Sequence, residues 1–218
     1  MKLYFREILP HLGEMLEGLK YSLILTVISM GLGLVIGILA CVMKNGKNKA
    51  LRVIANAYIE IIRNTPLLVQ LYILYFGLAE FGIDLSPFQA SAIAMTINAG
   101  AYNAEIFRGG LLSVPNGLSE AGHALGMTSF QVFTRVKLKI AMRNAFPGLI
   151  NQLVLLFLFS SVTATISMHE LSYVTFNLQS STARVFEVLI ISGILYYACS
   201  AIWVFVFRRL QKKIFAWK

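Results

Sequence analysis

Five apolar runs, at about 21–43, 54–81, 88–112, 147–167 and 185–207, leave this chain few ways to fold. Each is long enough to cross the hydrocarbon core of a bilayer, which takes about 20 residues of helix. In lipid a helix satisfies its own backbone donors and acceptors, so the expected fold is all-α, integral to the membrane, with five transmembrane helices. Composition agrees, because 57% of the 218 residues are hydrophobic and only 13% are charged. A soluble domain is nearer half apolar and about a quarter charged. Too few charges remain to coat a globule, and the expected organisation is one transmembrane domain over 1–218 with no separate soluble domain.

The formal net charge of +9 would suggest nucleic acid as a partner of a soluble chain. Here the bases sit at the ends of the apolar runs, as topology signals and lipid headgroup contacts do, so no nucleic acid is expected. Lys44, Lys47, Lys49 and Arg52 follow the first run; Arg108, Arg135, Lys137, Lys139 and Arg143 follow the third; Arg208, Arg209, Lys212, Lys213 and Lys218 follow the fifth. Five crossings put these three segments, which hold 14 of the 19 basic residues, on one side. The positive-inside rule makes that side cytoplasmic, with the N-terminus outside and the C-terminus in the cytoplasm. Before the first run, Ile8, Leu12, Met15 and Leu19 share one helical face against Glu7, Glu14 and Glu17, which predicts a helix lying in the outer interface. Residues 1–20 lack the apolar core and small-residue cleavage site of a removable signal peptide. Cys41 and Cys199 each sit alone in an apolar run and read as small buried hydrophobes.

The second run is interrupted by Arg63-Asn64-Thr65-Pro66, where proline removes a backbone donor and bends or breaks the helix. Backbone opened at that depth is tolerable only against protein or a wet cavity. The first run carries Ser22, Thr26, Ser29, Gly33 and Gly37 on one stripe. Small residues let helices approach closely, either at a subunit seam or within the chain. In the third run Asn98, Tyr102 and Glu105 share a face, and Glu105 lies three residues from Arg108. Ionisable groups in a span are functional candidates, while an acid–base pair also serves to hold a helix end. Ser160, Ser161 and Thr163 are either path hydroxyls or bonded to their own helix carbonyls. His11, His123 and His169 are dispersed, so no metal site is expected, and no Ser/His/Asp set for intramembrane hydrolysis assembles at one depth.

The segment 113–146 between the third and fourth runs is too long and too weakly polar for a plain connection. Pro115 suits a first helical turn, Gly126 the position beyond a helix end, and Thr128-Ser129-Phe130-Gln131 a capping box. Two short helices with apolar faces, including Leu118, Leu125, Phe130 and Phe133, make a docking platform. Glu120-Ala121-Gly122, then Gly126, then Val136-Lys137-Leu138-Lys139 resembles the EAA loop of ABC importer permeases at matching spacing. Gly122 replaces the third alanine, Val136 the isoleucine and Lys139 the proline of that pattern. Arg63-Asn64-Thr65-Pro66-Leu67-Leu68-Val69-Gln70 and Ala101-Tyr102-Asn103-Ala104-Glu105-Ile106-Phe107-Arg108-Gly109-Gly110 are similar to the polar amino acid (histidine/glutamine-type) uptake permeases.

The resemblance implies a type I ABC importer permease core, a non-catalytic transport subunit in a bacterial plasma membrane. Two permeases, identical or not, would form the path for an amino acid delivered by an extracytoplasmic binding protein. Two ATPase partners would carry ATP and Mg, since this chain has no G-x-x-x-x-G-K-[ST] loop. Glu120, Ala121, Gly122, Gly126, Val136 and Leu138 would couple to the ATPase. Thr65, Pro66, Leu67, Gln70, Asn98, Tyr102, Ser160 and Ser161 would line the path, with Arg63, Glu105 and Arg108 as structural or gating groups. Where many relatives carry Lys-Asp-Thr-Ser, this chain has Leu158-Phe159-Ser160-Ser161. Either hydroxyls and apolar contacts handle the substrate, or a non-identical second permease supplies the charge. The other function class is a stand-alone secondary transporter or channel, against which the missing half-length repeat argues.

Overall fold

The computed structural model describes residues 3–216, so Lys218, counted above with the basic tail, lies outside the described residues. Among the described residues every regular element is helical. Helix α1, Leu12–Asn45, is 34 residues long and already includes most of the segment expected to form a separate interfacial helix. No proline follows Pro10 until Pro66, so nothing ends the helix before the first apolar run. The expected apolar face is real, but it is covered by protein. Ile8, Met15 and Leu19 are buried with Phe157, Leu171, Leu178 and Val188.

The second run is two helices, not one. Helix α2, Lys49–Arg63, opens on Asn48, whose side chain accepts from the amides of Ala50 and Leu51. It stops at Asn64, and Pro66, in extended conformation, caps helix α3, Leu67–Tyr72, which continues as π-helix through Gly77. Helix α4, Pro87–Leu112, starts from a Ser86/Gln89 capping box. It is buried for much of its length against α1. A Cβ added at Gly33 or Gly37 would lie 2.6 Å from the Cβ of Ala99 or Asn103. The small-residue stripe of α1 therefore serves packing within the chain, since it is the α4 backbone that fills it.

Helix α5, Asn116–Ala124, has Pro115 as its N-cap rather than in its first turn. Helix α6, Ser129–Gln131, runs through a π-helical stretch, Val132–Lys137, directly into helix α7, Leu138–Phe159. The expected pair of short helices is thus one short helix and the start of a long one, which carries Pro147 inside it. At Ser160 the chain tightens into a 3-10 helix to Ile166, then turns through left-handed Ser167. Helix α8, Leu171–Thr182, lies between the fourth and fifth apolar runs, and helix α9, Val185–Ile214, completes the fold. Among the described residues three continuous helical segments are long and apolar enough to cross a membrane, Phe5–Asn45, Ser129–Ile166 and Val185–Ile214, and Leu67–Gly77 is a shorter apolar helix. The core lies where α1, α4 and α7 meet, with α8 and α9 packed outside α7 and α1.

Candidate functional site

The break between α2 and α3 faces α4, and Gln70 is the link. Its amide nitrogen donates to the carbonyls of Ile62 (2.9 Å) and Thr65 (3.1 Å) and to the Thr65 hydroxyl (2.9 Å). These bonds occupy acceptors near the end of α2. Gln70 Oε1 in turn accepts from Asn98 Nδ2 at 3.3 Å. Asn98 is buried, and its Oδ1 has no partner among the described residues. An amide oxygen buried without a donor costs about 1–3 kcal/mol, so a donor brought to this atom would be stabilised. Leu67 is buried behind the break, whereas Thr65 and Pro66 are exposed.

The face predicted on α4 continues downward from Asn98. Tyr102 lies under the Arg63 guanidinium, 5.2 Å from the ring centroid. Glu105 accepts from Arg108 Nη2 at 2.7 Å and from Lys44 Nζ at 2.8 Å, with Arg63 Nη1 at 3.8 Å. One carboxylate thus ties α1, α2 and α4 together, which fits the role of holding a helix end more closely than that of an open binding group. Ser160 and Ser161 are not joined to this face by hydrogen bonds. Their hydroxyls donate to the carbonyls of Phe157 and Leu158, each at 2.7 Å, and Thr163 to that of Ser160. The 3-10 segment itself still packs against α3 and α4.

Glu170 was not singled out from the sequence. It is fully buried, caps α8 by accepting from the Tyr173 amide (2.8 Å), and accepts from the Ser22 and Tyr196 hydroxyls. Its partners come from α1, α8 and α9, so neither run periodicity nor local spacing could have revealed it.

In the loop, Gly126 adopts φ +77°, the left-handed position expected after α5. Thr128 and Gln131 form the capping box, with Thr128 N donating to Gln131 Oε1 at 2.9 Å. Gly122 is buried, and a Cβ there would stand 2.9 Å from Val132 Cγ2. Leu125 and Phe130 are 82% and 75% exposed, joined by exposed Leu118, Phe133 and Leu138. Glu120 and Ala121 are exposed as well, while Val136 is half-buried. An exposed apolar patch of this kind marks a contact with another protein or with the membrane.

A helical membrane fold with a broken helix against a buried amide face, and an exposed helix–turn–helix between two long helices, defines a transport subunit. The chain belongs to the binding-protein-dependent transport system inner membrane component family, which matches residues 31–216. It is a permease subunit of an ABC importer and not itself an enzyme. The arginine transport system permease protein of Bacillus subtilis is 31% identical over 215 residues, with 98% of each chain covered. The octopine transport system permease protein of Rhizobium meliloti is 38% identical, covering 84% of this chain and 78% of that one. Among solved structures, an amino acid ABC transporter with histidines superposes with a TM-score of 0.92 at 32% identity, covering 98% of this chain and 100% of the other. An inward-facing methionine ABC transporter shares the fold, with a TM-score of 0.73 over 94% of this chain and 98% of that one, at 23% identity.

Proposed function

We propose that this permease carries an amino acid past the α2–α3 break, with Gln70 and Asn98 as the polar contacts from this chain. The observation that carries this reading is the unpartnered, buried Asn98 Oδ1 beside the opened helix end. Opened helices near mid-membrane offer backbone groups to the charged ends of a zwitterion. Thr65, Pro66, Leu67 and Tyr102 frame the same face, while Ser160 and Ser161 contribute through packing rather than through free hydroxyls. Arg63, Glu105 and Arg108 brace the end of the path.

The proposed orientation is five crossings, N-terminus outside and C-terminus in the cytoplasm of a bacterial plasma membrane, within a single domain. The lopsided basic segments support it. Two ATPase subunits, with ATP and Mg, seat against Glu120, Ala121, Gly126, Val136 and Leu138, while buried Gly122 acts from within by letting α5 pack on Val132. An extracytoplasmic binding protein delivers the amino acid. A second permease completes the path, and a non-identical one is favoured because Leu158 and Phe159 are exposed apolar residues where the family resemblance implies a charged pair.

Uptake by the whole complex in proteoliposomes, measured over a range of substrate concentrations, tests the pocket. Asn98→Leu is expected to weaken transport while the complex still assembles. Unchanged uptake with Asn98→Leu would remove Asn98 from the path.

A further inference from the structure

Helix α9 ends in a basic cluster, Arg208, Arg209, Lys212 and Lys213. From 121 to 169 the sequence has no Asp or Glu, and none occurs after Glu187. Arg208, Lys212 and Lys213 make no ion pair among the described residues, and Arg209 lies over its own helix neighbour Phe205 at 4.9 Å. Two grooves meet at Arg208. One, of about 150 Å³, lies between α7 and α9, lined by Ile150, Asn151 and Val154 of the first and by Val204, Arg208 and Gln211 of the second. The other, about 540 Å³, follows the open face of α9 from Tyr197 and Ala201 to Arg208 and Lys212.

We propose that these grooves hold an anionic phospholipid, its phosphate on Arg208 and Lys212 and its acyl chains along Val154, Val204 and Ala201. The apolar stretch selects a lipid over free phosphate. A lipid phosphodiester offers two anionic non-bridging oxygens to guanidinium and ammonium donors, and an acyl chain covers apolar surface that would otherwise stay exposed. A neutral zwitterionic lipid gains less, because its own cation competes with the bases. Each basic side chain near a phosphate contributes about a factor of five in binding, so two give roughly 30-fold.

The test uses the intact complex, purified in mild detergent and stripped of native lipid. Phosphatidylglycerol and phosphatidylcholine are titrated in turn and retained lipid is counted by native mass spectrometry. Preferential retention of phosphatidylglycerol is expected, lost in Arg208→Ala/Lys212→Ala and weakened in Val204→Trp, which fills the groove and leaves the charges. The Val204→Trp variant keeps the question answerable if the double variant does not assemble. Equal retention of the two lipids, or unchanged phosphatidylglycerol retention in the variants, overturns the proposal. Displacement by inorganic phosphate at equal concentration shows an anion site without a lipid and also overturns it. So does disulfide trapping of Tyr197→Cys to another subunit, because protein would then cover the face.

Discussion

Gly122 stands where a third alanine completes the loop pattern of related permeases, and Val132 fills the space that its methyl would need. The substitution is therefore matched inside this chain. Val132 is itself buried, so an alanine at 122 forces backbone or rotamer shifts, at about 1–3 kcal/mol for overpacking. Gly122→Ala is expected to loosen the loop, seen as faster amide hydrogen exchange over 116–137, and Gly122→Ala/Val132→Ala to restore protection. Protection unchanged in the single variant would show that the contact yields freely. At this scale the sequence was informative about Asn98, Tyr102 and Glu105, because i, i+4, i+7 spacing alone puts them on one face. It was silent on Gln70's bonds and on Glu170, since both depend on where a chain break or a distant helix ends up. Ser160 and Ser161 looked like path hydroxyls because a sequence does not reveal that a helix tightens to 3-10 and takes its own hydroxyls back.

Among the elements, the seam of α1 on α4 holds the core. At Gly37 a Cβ would meet Asn103 Cβ at 2.6 Å and backbone atoms of Gly100 and Ala104 at 3.1 Å, and backbone cannot rotate away. Gly31, on the same helix, has nothing within 4 Å. Gly37→Val is expected to lower the thermal midpoint of the purified complex or to abolish assembly, with Gly31→Val close to wild type. Equal behaviour of the two would disprove the seam. The apolar runs predicted helices in the right places but not their ends. Pro147 read as a boundary, yet α7 continues through it. The short, mixed polar α8 has no run to announce it, and α1 outgrows its run because nothing breaks it.

For the whole molecule, the proposed orientation rests on the distribution of charge. A cysteine at Asn48 or Gln211 is expected to react only from the cytoplasm and one at Gly82 from outside. External labelling at Asn48 in intact cells contradicts the five-crossing arrangement. In the proposed function the exposed helix–turn–helix transmits ATPase closure to the permease. Gly126 ends α5 in the left-handed region, where a residue with a Cβ is strained by about 1–2 kcal/mol and a β-branched one by more. Gly126→Val misplaces Glu120 and the apolar patch without touching the spans. The decisive measurement is the ATPase rate of the reconstituted complex with and without loaded binding protein. A clear rise is expected with wild type and none with Gly126→Val, in complexes of equal composition. Full stimulation in that variant would contradict this coupling.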